Sequence, residues 1–172
     1  MTTTVDHGEL DPTQVGWDGG ELVVTRVFGA PRETVWKAWT QPEQFARWWG
    51  PHGSTTLVHA LDARPGGALH FCHRFPDHDD VWVGGTYGDV RAPERLSFIC
   101  WFSGPDGGRV ERPGFPPEMT ITVDFDEHDG RTRVTARHAG LDGDQGEVQG
   151  WKEGLDRLAT LLAQPRDTNR ES

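Results

Sequence analysis

A chain of 172 residues, 34% hydrophobic and 26% charged, is most simply one domain long enough to enclose a core. Its net charge of −10, with no run of lysine or arginine, speaks against nucleic acid as a partner and reads as a solubility feature. No apolar run approaches the ~20 residues a membrane span needs and no charged-then-apolar leader opens the chain, so no membrane insertion is expected and the expected setting is cytoplasmic.

Residues 1–20 are polar, rich in glycine and aspartate and without periodicity, which predicts a flexible arm with Trp17 as the one side chain suited to dock on the body. Residues 21–28 are β-branched and extended, a first strand. The run 26–51, RVFGAPRETVWKAWTQPEQFARWWGP, then holds four of the eight tryptophans in two short helical patterns. Pro31 suits a first helical turn, and Val35 and Trp39 share a face. Thr40-Gln41-Pro42-Glu43 reads as a capping box for the second helix, with Phe45, Trp48 and Trp49 on one side and Gly50-Pro51 as the stop. Helices this short need a large partner for their aromatic faces.

Six strand patterns follow. They cover 54–63, 68–75, 80–90, 95–102, 119–125 and 131–139, separated by turn sequences such as Arg64-Pro65-Gly66-Gly67 and Glu127-His128-Asp129-Gly130. Gly84, Gly85 and Gly88 predict a bend or bulge in the third of these. Cys72 and Cys100 lie inside strands and suit a reducing compartment as small buried thiols. The stretch 103–118, SGPDGGRVERPGFPPE, is longer than a hairpin needs. It reads either as a disordered surface insertion or as a lid tipped by Phe115. From 146 to 163, Val148, Trp151, Leu155, Leu158 and Leu162 make one apolar helical stripe, which Gly150 and Gly154 border. Those glycines either admit a close neighbour or leave room empty. Residues 165–172 read as a flexible tail, leaving 21–164 as the single folded domain.

This order predicts an α+β fold. A curved seven-stranded antiparallel sheet wraps around a long C-terminal helix, with two short helices after the first strand. A sheet curled round one helix need not fill completely, and the space left is of the kind ligands use. The run 26–51, the segment Trp82–Gly88, the paired strands near 119–125 and 132–136, and the closing Gly150-Trp151…Leu155…Leu158…Leu162 helix resemble the activator-of-Hsp90-ATPase-like family of the START-like helix-grip (SRPBCC) superfamily. The resemblance covers roughly 21–163; the 103–118 loop and the histidine-rich middle depart from it. It implies a helix-grip fold around a hydrophobic cavity. It implies less about activity, since the superfamily includes lipid carriers, hormone receptors, polyketide cyclases and chaperone activators.

Strand parity supplies the site residues. His59 shares a face with Leu57 and Leu61, His73 with Leu69, Phe71 and Phe75, and His138 with Val134 and Ala136. Each is either a polar anchor or a general acid–base group in an apolar pocket, or a core or rim histidine bonded to a neighbour. The expected ligand-binding residues are Trp39, Phe45 and Trp49, joined by Phe71, Trp82 and Tyr87 from the sheet and by Trp151 and Leu155 from the last helix. His70, Cys72, His73, His78, Asp79 and Asp80 are close in sequence. They alternate between faces and lack a CxxC or helical HxxxH spacing, so no metal is expected. No nucleophile turn or phosphate-binding glycine loop occurs, and no cofactor is expected. The first function these residues suggest is binding of a small, mostly hydrophobic or aromatic molecule. The alternatives are a cyclase- or hydrolase-type enzyme using a cavity histidine, and a chaperone-interaction module. A homodimer is left open.

Overall fold

The computed structural model describes residues 13–141, 143 and 146–164. In chain order these form β1 (Gln14–Asp18), β2 (Glu21–Phe28), α1 (Arg32–Thr40), α2 (Pro42–Trp48), β3 (Thr55–Leu61) and β4 (Ala68–Arg74). Then come β5 (Val81–Arg91), β6 (Arg95–Ser103), β7 (Met119–His128), β8 (Arg131–Ala139) and α3 (Glu147–Ala163). The eight strands make one sheet in the order β1-β2-β8-β7-β6-β5-β4-β3, every neighbouring pair antiparallel. Strands β3 to β8 run as a meander. The α1–α2 pair carries the chain from β2 across to the far edge at β3. This is the helix-grip arrangement.

The sheet has one strand more than the seven expected. Gln14–Asp18, read from sequence as part of the arm, pairs with β2 from Gln14↔Thr25 to Asp18↔Glu21. Gly19 and Gly20 turn the chain between them with φ of 60° and 87°. An edge strand held by backbone bonds needs no apolar alternation, so its sequence gave no periodic signal. Trp17 lies on this edge, 46% exposed. Residues 1–12 of the predicted arm, and the predicted tail 165–172, lie outside the described residues.

The two short helices are stable because of what they bury. Val35, Ala38 and Trp39 of α1 and Phe45 and Trp48 of α2 are closed off from solvent, each large side chain contributing ~1.5–3 kcal/mol. The Trp48 indole N–H donates to the Ala38 carbonyl at 2.8 Å, tying α2 to α1. The expected capping box is absent. Thr40 closes α1, its hydroxyl donating back to the Trp36 carbonyl at 2.9 Å, while Gln41 precedes α2 and Pro42 takes its first position.

The α3 stripe is buried through Trp151, Gly154, Leu155 and Leu158. Two arginines fasten the helix. Arg26 of β2 pairs with Asp156 of α3. Arg157 reaches back to donate to the Gly50 and Pro51 carbonyls, both at 3.0 Å. Between β7 and β8 the two-residue Asp129-Gly130 turn takes φ of 55° and 76°, the left-handed geometry whose twist suits a tight hairpin. The register shift between Tyr87 and Val90 spans Gly88, at the predicted irregularity of β5.

The loop 104–118 is pinned to the end of β6 from both sides. Arg109 stacks on Trp101 at 4.2 Å and pairs with Glu118 at 2.7 Å, while Phe115 packs edge-on to Phe102 at 4.9 Å. Arg112 covers the same Phe102 ring at 4.9 Å. No helix among the described residues is long and apolar enough to cross a membrane.

Candidate functional site

Between α3, the α2–β3 turn and the sheet lies a cavity of about 210 Å³. The turn contributes Trp48, Trp49, Gly50 and Pro51; β4 contributes Phe71 and His73; β5 contributes Val81 and Val83. Cys100 and Phe102 of β6, Met119 and Ile121 of β7 and His138 of β8 complete the sheet wall, and α3 supplies Glu147, Gly150, Trp151 and Gly154. The wall is overwhelmingly apolar, no lysine or arginine belongs to it, and Glu147 at the start of α3 is its one carboxylate.

The two glycines of α3 have different surroundings. A Cβ on Gly154 would stand in ordinary van der Waals contact with the opposing turn, with Gly50 O at 3.7 Å and Trp48 O at 3.9 Å, so an alanine would fit there. A Cβ on Gly150 would meet nothing within 4 Å. Gly150 lines the cavity and leaves open space where a side chain would stand.

Aromatic packing sets the wall. Trp49 stacks on Phe45 at 4.9 Å and meets Trp151 edge-on at 5.4 Å. Phe45 is therefore one layer behind the lining. Trp39 is deeper still, packed among Trp48, Trp49, Phe125 and Trp151 and wholly buried.

Besides Glu147 and the Cys100 thiol, the titratable groups of the wall are two histidines. His138 accepts the Trp151 indole N–H at Nδ1 (3.1 Å), and its Nε2 lies 3.3 Å from the Met119 sulfur. An indole can only donate, so Nδ1 is bare and Nε2 carries the proton. Burial holds the pKa of His138 down to about 4. His73 is fixed by Thr56, directly across the β3–β4 pair. The Thr56 hydroxyl donates its single hydrogen to the Trp49 carbonyl, so its 2.9 Å contact with Nδ1 of His73 requires a proton on Nδ1. Burial, reinforced by the positive charge of Arg157, lowers the pKa of His73 to about 4. The ring is thus neutral, and Nε2 is its unprotonated nitrogen. Burial also pushes the Cys100 thiol up to about 12, leaving it protonated and inert.

Of the residues expected from sequence, Trp49, Phe71, Trp151, His73 and His138 line the cavity. The others do not. Trp39, Phe45 and Leu155 are core behind the wall, and Tyr87 is buried against Phe98 at 5.7 Å. Trp82 and His59 are on the opposite face of the sheet, where their rings meet at 4.8 Å beside His70. Parity failed at His59 for two reasons. β3 is an edge strand whose Leu57 is 37% exposed, and a bulge between Val58 and Ala60 leaves His59 unpaired in the ladder. Thr56 takes the inward position instead. The lining residues not foreseen include Trp48, Val81, Val83, Glu147, Cys100 and Phe102 and, from β7, Met119 and Ile121. The alternation Met119, Ile121, Val123, Phe125 marked that face already, but no rule of parity says which end of an apolar row borders a void. His70 and His73 lie on opposite faces, Arg74 pairs with Asp80 at 3.4 Å, and no group of three metal-ligating side chains occurs among the described residues.

Residues 29–163 match the model of one protein family, described as Activator of Hsp90 ATPase homolog 1-like protein. Solved structures of similar chains include protein Ms6760 from Mycobacterium smegmatis, 26% identical, with a TM-score of 0.79 over 90% of this chain and 99% of that one. Protein CV1439 from Chromobacterium violaceum is also 26% identical, with a TM-score of 0.74 over 86% of this chain and 100% of its own. CalU16 from Micromonospora echinospora, 18% identical with a TM-score of 0.58 over 89% of this chain and 85% of its own, shares the fold. The comparison with curated proteins returns no match.

Proposed function

This chain belongs to the Activator of Hsp90 ATPase homolog 1-like family, and from that premise we propose that it binds a small, largely hydrophobic molecule in the cavity beneath α3. The observation that carries this reading is the apolar cavity itself, lined in part by Gly150, a residue unfavourable to its helix that leaves open space where a side chain would stand. The volume sets the guest's size. At about 210 Å³ the space exceeds the ~150 Å³ void that takes benzene but falls short of the ~300–1,000 Å³ of drug-sized pockets. A single substituted ring or a short branched chain fits; a bilayer lipid or a multi-ring polyketide does not fit without rearrangement. Burying ~200 Å² of such a guest is worth ~5 kcal/mol before the cost of immobilising it, so millimolar to high-micromolar affinity is expected.

Native mass spectrometry of freshly purified protein tests this. The expected result is a retained small mass in the one-ring range, or its uptake when one-ring aromatics are supplied. A bare chain that takes up none of them contradicts the reading.

A second reading, a cyclase- or hydrolase-type enzyme, is favoured by one observation: His73 keeps an unprotonated nitrogen on an apolar wall, positioned to take a proton, although burial makes it a weak base. His138 has both nitrogens engaged and His59 is on the other face, so the proton carrier would be His73. Turnover abolished by His73→Phe, with apolar binding intact, would identify the enzyme. The ATPase-activating role in the family's description would rest on a partner surface, and the cavity says nothing for it.

A further inference from the structure

Resting on the cavity reading above, we infer that the guest carries one hydrogen-bond donor, a hydroxyl or N–H on a small neutral ring, which it gives to Nε2 of His73. The inference follows from a chain of protons. The Trp49 carbonyl takes the Thr56 hydrogen, Thr56 oxygen takes the His73 Nδ1 hydrogen, and the ring is left with an acceptor at Nε2. That nitrogen meets no hydrogen-bond partner among the described residues and keeps accessible surface. The Thr56 contact at 2.9 Å holds the ring by its Nδ1 edge, which lies where a Cβ on Gly50 would stand, 2.9 Å from both Nδ1 and Cε1. The other cavity imidazole offers no rival anchor, its nitrogens being occupied by Trp151 and Met119.

Charge selects further. Arg157, the cation nearest His73, gives its Nη1 hydrogens to the Gly50 and Pro51 carbonyls and Ser54, outside the wall. The wall's carboxylate is Glu147. An anionic guest would bring lone pairs to an acceptor and find no hydrogen to accept from Nε2, whereas a phenol or a small alcohol meets the acceptor it needs.

Three probes of similar size, toluene, phenol and benzoate, decide the matter by calorimetric titration of the full chain at neutral pH. A hydroxyl buried without a partner costs enough to weaken binding by about tenfold or more. Phenol is therefore expected to bind at least as tightly as toluene, and benzoate more weakly than both. In His73→Phe, phenol is expected to weaken by about tenfold or more relative to toluene. The native protein alone can overturn the inference: toluene binding with phenol clearly weaker, or benzoate tightest, refutes it and leaves the apolar cavity standing. If none of the three binds, both the inference and the cavity reading fail. Equal loss of toluene and phenol in His73→Phe would mean that the histidine shapes the wall and anchors nothing, which also refutes it.

Discussion

His73 and His138 are buried against the same cavity, but their nitrogens are committed differently, and acid should reveal both. Each has its pKa held near 4 by burial, against an ordinary 6.5. The unfolded chain therefore takes up protons as pH falls through 6.5 while the folded chain stays neutral until about 4. The stabilising contribution is complete above 6.5 and is lost on acidification through that window, about 2 kcal/mol per histidine by about pH 5. Urea unfolding at about pH 7.5 and about pH 5 should show native stability falling by more than that of His138→Phe, the difference being about 2 kcal/mol. Identical losses in the two proteins would mean His138 is not held neutral. Sequence parity put both imidazoles on inward faces, which strand alternation alone determines. It could not separate the engaged ring from the available one, because that depends on partners, Trp151 and Thr56, that lie on other elements.

At the scale of elements, the turn from Trp49 to Ser54 and the first turns of α3 form a joint built around two glycines. Gly50 holds φ of 117° with the His73 ring and Ser54 hydroxyl where a side chain would go. Gly50→Ala should destabilise by ~1–3 kcal/mol and displace His73. Gly150 has helical backbone and open space, so Gly150→Ala should stabilise by ~0.5–1 kcal/mol through helix propensity alone. Thermal unfolding checks the pair: one midpoint should fall and the other rise, and a drop for both would show Gly150 to be packed. The helix stripe and the two aromatic helices were legible because their periodicity is local. The capping box at Thr40 was not, since the same hydroxyl can close the helix before it as readily as open the one after. β1 was missed for a similar reason: its pairing is backbone to backbone, and its side chains carry no pattern.

At the scale of the molecule, the order of elements was enough to foresee a sheet gripping a terminal helix, because each apolar stripe has one possible partner. The void was harder to foresee. Which aromatics fill the interior and which border the gap is settled by layers of packing: Trp49 and Trp151 reach the space, while Trp39 and Phe45 are spent one layer behind them. A hollow is where side chains stop, and no single residue encodes it. Gly150 comes closest.

The most direct test is therefore to fill the hollow from that position. Tryptophan fluorescence, reported by Trp49 and Trp151 at the wall, should change saturably when the native protein is titrated with a one-ring aromatic. In Gly150→Leu, folded by circular dichroism and no less stable, the same titration should give no saturable change. Superimposable titration curves from the two proteins would place binding elsewhere and contradict the account.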